Sequence, residues 1–203
     1  MTSWATRLPS RRGALQVITP RMPVEQGERV ILVDIVARLD ALNRIVEDML
    51  LFARPRPLRQ EPIALSLLVS DTAAMIRCDP GLAGLEIRVE GSAAVIGDCE
   101  LLQIVFQNIL VNAAQAMGGQ GRIDVTMSEN GGLCEIVVAD SGPGMPLDVR
   151  EKAFDAFYTT SHRGTGLGLP IARKVVEAHG GRISIELPPS GGTTLRIQLP
   201  AAS

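Results

Sequence analysis

Hydrophobic positions along the chain change rhythm near residue 60. Before that point Leu32, Ile35, Leu39, Leu42, Val46, Met49 and Ala53 recur alternately three and four residues apart. This is a heptad seam over three repeats, so residues 25–53 are predicted to form one long helix that packs on a partner helix or in a helical bundle. The plainer alternative is a helix lying on its own domain. Pro55 and Pro57 end the helix, because proline lacks the amide proton and disfavours helical geometry at the residue before it. Residues 54–58, Arg-Pro-Arg-Pro-Leu, then read as a stiff linker. Upstream, Ala14, Leu15, Val17 and Ile18 read as the end of a preceding antiparallel helix, turned by Pro20 and Pro23. Such a hairpin leaves a wide apolar face, which pairing as a four-helix homodimer would bury.

From Pro62 onward helices and strands alternate. Ser66 is placed as the cap of a helix to about residue 77, residues 85–89 as a strand and residues 100–117 as a strong helix. Two strands rich in Ile and Val, 122–127 and 133–139, flank Asn-Gly-Gly at 130–132, a hairpin signal. A helix over 167–179 ends at Gly180 and Gly181, and strands follow at 182–186 and 194–199. The expected fold class is α+β, a two-layer α/β sandwich with helices on one face of a mixed sheet, preceded by a helical hairpin. The division is expected near residue 57, with 1–57 helical and 58–203 globular.

Composition narrows the function classes. With 46% hydrophobic and 21% charged residues, the 203-residue chain can build one good core and an extension. A formal charge of -2 gives no broad cationic field, so nucleic acid is not expected as a partner. Cys78, Cys99 and Cys134 contain no Cys-x-x-Cys pair and are odd in number, which argues against a disulfide framework or zinc site and for a reducing, cytoplasmic setting. No apolar run approaches the roughly 18 to 20 residues of a membrane helix, and the start lacks the apolar middle of a signal peptide.

Four segments carry candidate chemistry. In residues 98–117, Asn108 and Asn112 are four apart and share a helix face, opposite Leu101, Ile104, Val105, Ile109 and Leu110. Asparagine is a mediocre helix former, so the pair reads either as surface polarity or as carbonyl oxygens offered to a magnesium ion. Asp-Ser-Gly-Pro-Gly-Met at 140–145 follows an apolar strand. It is either a tight turn or a site where Asp140 accepts a hydrogen bond from an exocyclic amine such as adenine's, while Gly142 and Gly144 let backbone approach a flat base. Gly-Thr-Gly-Leu-Gly-Leu at 164–169 opens a helix; inward amides and the helix N-terminus make an anion cradle. It lacks the preceding strand and downstream acid of a dinucleotide fingerprint, and no Walker lysine is present. Finally, residues 191–200 turn into a last strand, where Thr193 or Thr194 could place a hydroxyl beside the base-binding carboxylate.

In this order the segments, over about residues 62–200, resemble the ATP-binding domain of two-component sensor histidine kinases, within the superfamily shared with gyrase-type and mismatch-repair ATPases. The resemblance implies the Bergerat ATP-binding fold, with ATP and magnesium as cofactors. It makes Asn108 and Asn112 the N box, Asn108 at the catalytic position and Asn112 the magnesium ligand. It gives adenine to Asp140, with Gly142 and Gly144 as the first glycine box and Thr194 beside it. Gly164, Thr165, Gly166, Leu167, Gly168 and Leu169 form the phosphate loop, and Phe154 and Phe157 the F box of a mobile lid. Where relatives often have lysine after the paired threonines, Ser161, His162 and Arg163 follow here, and Arg163 is the substitute for phosphate contact.

The hairpin resembles the dimerisation and phosphotransfer domain of nitrogen-regulator-type sensor kinases. Ungapped extension of that match puts Leu8 on the leucine of a motif like HExRNPL and Thr2 where its phosphoacceptor histidine stands. The histidines of this chain, His162 and His179, lie far from that position, and a threonine ester is not the labile phosphoramidate that donates to aspartate. His179 reads instead as part of a helix-ending His-Gly-Gly motif, and His162 as a solvated side chain. The resemblance implies a homodimer through residues 25–53 and, as partners, a response-regulator receiver domain or an intact histidine kinase. Two other classes stay open: a noncatalytic ATP-sensing regulator, and a gyrase-superfamily ATPase. The second is disfavoured because those hydrolases have a water-activating glutamate where Asn108 stands.

Overall fold

The structure, a computed structural model, describes residues 26–53, 57–82, 84–161, 164–189 and 191–202. Thr2, Leu8, the apolar stretch at 13–18, Pro20, Pro23, Pro55, His162 and Arg163 lie outside the described residues. The chain divides into two compact units, one ending at Glu47 and the other starting at Asp48.

The predicted long helix is α1, Gln26–Ala53. Its seam side chains Ile35, Leu39, Leu42 and Val46 are all exposed, at 46%, 47%, 57% and 51%. The last turn and a half of α1 belongs with the second unit for a local reason. Leu51 and Phe52 pack against its core, the Phe52 carbonyl accepts a hydrogen bond from Lys174 Nζ at 2.6 Å, and the Lys174 ammonium lies 4.0 Å from the Phe52 ring centroid.

The second unit follows the order β1 (Glu61–Ala64), α2 (Leu65–Arg77), a 3-10 turn (Pro80–Leu82), β2 (Gly84–Gly91), β3 (Ala94–Gly97) and α3 (Cys99–Ala116). It continues with β4 (Gln120–Asn130), β5 (Leu133–Asp140), α4 (Leu147–Lys152), α5 (Gly168–Ala178), β6 (Arg182–Glu186) and β7 (Thr194–Pro200). The main sheet has strand order β2-β4-β5-β7-β6, while β1 pairs with β3 in a separate two-stranded ribbon. Only β2 and β4 run parallel, since α3 crosses between them; the remaining pairs are antiparallel. The β4–β5 hairpin turns at Gly131 and Gly132, whose φ values of 58° and 78° suit the two-residue turn that matches strand twist.

Burial alternates along these strands. Ile123, Val125 and Met127 of β4, Ile136 and Val138 of β5, and Leu195, Ile197 and Leu199 of β7 point to one face. Leu102, Phe106, Ile109 and Leu110 of α3 and Ile171, Ala172 and Val176 of α5 join them in a single core. The opposite face is wet and charged. There Arg196 spans three strands, its Nη1 at 2.8 Å from Glu135 Oε2 and its Nε at 2.8 Å from Glu186 Oε1. Those hydrogen bonds hold the Glu186 carboxyl below its ordinary range and the guanidinium above its own. The predicted two-layer α+β sandwich is therefore the fold.

Two local expectations change. Ser66 is inside the first turn of α2 rather than its cap, because β1 runs straight into the helix. Ala64 occupies the cap position without a side-chain bond, and the Leu65 amide donates to the Ala93 carbonyl at 3.0 Å. Ile104, expected on the buried face of α3, is only partly buried. Cys78, Cys99 and Cys134 are free thiols; burial raises the pKa of Cys99 and Cys134.

Leu110 is fully buried and Leu67 is 67% exposed. Leu110→Ala is expected to lower unfolding free energy by about 2–5 kcal/mol, and Leu67→Ala by about 0.5 kcal/mol or less, as read by urea denaturation.

Candidate functional site

Strand β5 ends on Asp140, and the side chain is held rather than free to swing. Its Oδ1 accepts hydrogen bonds from the Gly142 amide at 2.9 Å and the Thr193 amide at 3.1 Å. Its own amide donates to the Thr193 carbonyl at 2.9 Å, which ties the end of β5 to the turn before β7. Among the described residues Oδ2 carries no hydrogen bond, so one carboxylate oxygen is fixed by backbone and the other keeps its capacity to accept. This close approach requires glycine at 192: a Cβ there would sit 2.1 Å from the Asp140 carbonyl oxygen. Gly144, at φ 82°, packs against the same turn. At the rim, Ser141 Oγ accepts from the Arg122 amide at 2.9 Å and donates to Met117 Sδ at 3.5 Å.

Of the two candidate threonines, Thr193 supplies the contact with Asp140, and does so through its amide. Thr194 is the first residue of β7, paired with Ala139 and Glu186, and makes no hydrogen bond to Asp140. The odd-even alternation of the strand turns consecutive side chains to opposite faces, which separates the two.

The second half of the site lies where α3 meets the start of α5. Asn108 and Asn112 are half-buried on one face of α3, as their spacing predicts, and they flank Gly168. A Cβ at 168 would sit 3.2 Å from Asn108 Oδ1, a tight approach, and 3.6 Å from Asn112 Nδ2, ordinary contact, so a larger residue would crowd the Asn108 carboxamide. Among the described residues Asn108 Nδ2 is buried with no hydrogen-bond partner, an orphaned polar atom. Carboxamide oxygens are hard donors of the kind magnesium takes, and an unpaired amide beside them fits a polar group that arrives with a ligand.

Helix α5 begins without a capping side chain, and the amides of Gly168 and Leu169 have no partner among the described residues. They present donors and the positive end of the helix dipole beside the two asparagines. The side chains of Leu167 and Leu169 turn inward, away from these amides. Leu167 is 1% exposed and Leu169 packs against the core, so both anchor the loop. Thr165 Oγ1 turns back to accept from the Leu167 amide at 3.2 Å. The loop between α4 and α5 is closed at its base by the Phe157 amide, which donates to the Gly166 carbonyl at 2.9 Å. Phe157 has φ 67° and is 60% exposed, whereas Phe154 packs on the core with the Arg173 guanidinium 4.2 Å from its ring. Gly164 is at the exposed tip against Thr159.

The sequence had shown Asp140, the glycines and the two asparagines. It had not singled out Gly192 or the backbone of Thr193, although paired glycines ahead of paired threonines were the available signal.

Comparison with known proteins agrees with this geometry. Residues 97–203 match the family model described as histidine kinase-, DNA gyrase B-, and HSP90-like ATPase. The signal transduction histidine-protein kinase AtoS of Escherichia coli is 31% identical over 203 residues, covering 95% of this chain and 32% of AtoS. Among solved structures, the mycobacterial sensor histidine kinase MprB superposes with a TM-score of 0.64 at 30% identity, covering 70% of this chain and 98% of that one. Full-length ShkA, solved in complex with AMPPNP, gives 0.79 at 25% identity over 94% of this chain and 42% of that one. The chain belongs to the histidine kinase-, DNA gyrase B- and HSP90-like ATPase family. It carries the histidine kinase-type ATP-binding domain of the two-component sensor kinases and spans about a third of AtoS.

Asp140→Asn keeps the size of the side chain and an oxygen for the Gly142 and Thr193 amides, but turns an amide donor toward the ligand. It is expected to weaken ATP binding by about 10- to 100-fold with little change in melting temperature, measured by calorimetry on the folded variant.

Proposed function

We propose that this chain is the ATP-binding catalytic portion of a sensor histidine kinase, in which Asp140 selects adenine and Asn112 and Asn108 serve the triphosphate and its magnesium. The observation that carries the reading is the fixed carboxylate of Asp140, with one oxygen taken by two backbone amides and the other open. Adenine's exocyclic amine matches that acceptor, and Gly142 and Gly144 beside it let a flat ring approach.

Magnesium, when bound, neutralises charge developing on the transferred phosphoryl group. The chain's own residues do the remaining work. Asn112 and Asn108 offer carboxamide oxygens, the Gly168 and Leu169 amides offer donors at a helix N-terminus, and the loop from Thr159 to Gly166 covers the phosphates, with Arg163 as its cation. Phosphoryl transfer depends mainly on positioning and charge neutralisation, which this arrangement supplies without a nucleophile of its own. The Asn108 carboxamide is no base for activating water, so the kinase reading is favoured over an ATP hydrolase.

The acceptor on this reading is a histidine that residues 1–203 do not supply, with a response-regulator receiver domain or an intact histidine kinase as partner in the cytoplasm. Thr2 stands at the position aligned with the phosphoacceptor. His179 has both ring nitrogens hydrogen-bonded inside the fold, to the Asp98 amide and the Val175 carbonyl. The exposed apolar seam of α1 supports a homodimer through residues 25–53, burying Ile35, Leu39, Leu42 and Val46.

Incubation with labelled ATP is expected to leave no acid-labile, base-stable phosphate on this chain alone, and to label an added histidine-bearing dimerisation domain. Self-labelling of that chemical type would refute the assignment of the acceptor. Asn112→Ala is expected to remove the gain in ATP affinity that magnesium gives while leaving magnesium-free binding through Asp140 in place, as followed by calorimetry with and without EDTA. Leu39→Glu combined with Leu42→Glu is expected to yield a monomer in sedimentation, with ATP binding unchanged.

A further inference from the structure

We propose that His179 is a positioning residue for the nucleotide site, acting as a latch that fixes α5 along α3; the functional part of this proposal rests on the ATP-binding reading above. Helix α3 begins with Asp98 as its cap, whose Oδ1 accepts from the Leu101 amide at 3.2 Å. In a capping box the residue at that third helical position would return a bond to the amide of the cap, using a Glu or Gln side chain. Here that residue is leucine and cannot. The bond is returned from another helix: the Asp98 amide donates to His179 Nε2 at 2.9 Å.

The ring is fixed at its other end as well. His179 Nδ1 lies 2.7 Å from the Val175 carbonyl, which also accepts the His179 backbone amide at 3.1 Å; with Nε2 accepting from Asp98, Nδ1 is the protonated nitrogen. Asp98 is 1% exposed, so its amide has no water to fall back on. Asp98 Oδ2 accepts from the Arg59 amide at 3.0 Å, which brings the segment leaving α1 to the same point. Gly97 leaves room for the ring, since a Cβ there would sit 2.6 Å from His179 Cδ2.

The consequence lies at the far end of the two helices. They run antiparallel: the start of α3 meets the end of α5, and Asn108 meets Gly168 at the start of α5. From residue 98 to 108 is ten residues on α3, and from 179 to 168 is eleven on α5, about 15 and 16 Å of helix. Leu101, Ile171 and Val175 line one small pocket beside the two helices, and apolar contact of this kind has no preferred direction. The directional bond between Asp98 and His179 sets the register, and hence where the α5 amides stand against Asn108 and Asn112.

The test uses three variants of the whole chain. His179→Gln keeps an acceptor near the Nε2 position, His179→Phe keeps a ring without one, and Gly97→Ala displaces the ring without touching it. In nitrogen-15 spectra of the parent, which has two histidines, His179 is expected as the neutral Nδ1–H tautomer. The side-chain amide resonances of Asn108 and Asn112 in the ligand-free protein are expected to move in His179→Phe and Gly97→Ala and to stay near parent positions in His179→Gln. Magnesium-ATP affinity should fall about 10-fold or more in the first two and return to within about 3-fold of the parent in the third.

A different tautomer, unmoved asparagine resonances in folded His179→Phe and Gly97→Ala, or a glutamine variant as impaired as phenylalanine would overturn the latch. If the parent binds no ATP, the proposed function fails, while the tautomer and asparagine resonances still decide whether the latch sets helix register.

Discussion

The site depends on two helices that meet closely at a glycine. α3 contributes two carboxamides one turn apart, α5 contributes its open first turn, and the glycine at 168 is what lets them approach. Asn108 Nδ2 is left buried and unpaired at that contact, a polar group that the fold alone does not satisfy. Stability alone would select an apolar or fully paired contact here. On the proposed reading, a hydrogen-bonding ligand meets this mismatch.

The sheet supplies the other half. Because β5 lies between β4 and β7, its last residue is reached from both sides. The Arg122 carbonyl takes the Ser141 amide, and the turn before β7 takes both the amide and the carboxylate of Asp140. A carboxylate whose geometry is set by main chain loses little freedom when it meets a ligand, which favours recognition of one amine over general attraction of cations. On the proposed reading, base recognition therefore falls to the sheet. On the same reading phosphate handling falls to the loop whose base carries the hydrogen bond from the Phe157 amide to the Gly166 carbonyl.

Much of this was legible in the residues. The strands from 122 to 139 and their Gly-Gly turn, α3 and its asparagine face, and α5 with its glycine ending all follow from periodicity and turn chemistry. What was illegible came from contacts between distant segments. β1 and β3 are four residues each and stable only as a pair, so neither has a pattern of its own. Ser66 looked like a cap because the carbonyl that does its work, on Ala93, is 28 residues away from the Leu65 amide it accepts. Thr194 looked equivalent to Thr193 until strand register turned the two apart. His179 read correctly as helix-ending, but its bond to the start of α3 spans 81 residues.

The most direct test is a crystal structure of the chain with a non-hydrolysable ATP analogue and magnesium. The account predicts the adenine amine within hydrogen-bond distance of Asp140 Oδ2, the metal on the Asn112 carboxamide oxygen, and phosphate oxygens at the Gly168 and Leu169 amides. A nucleotide bound elsewhere, or one seated here with its base away from Asp140, would contradict it.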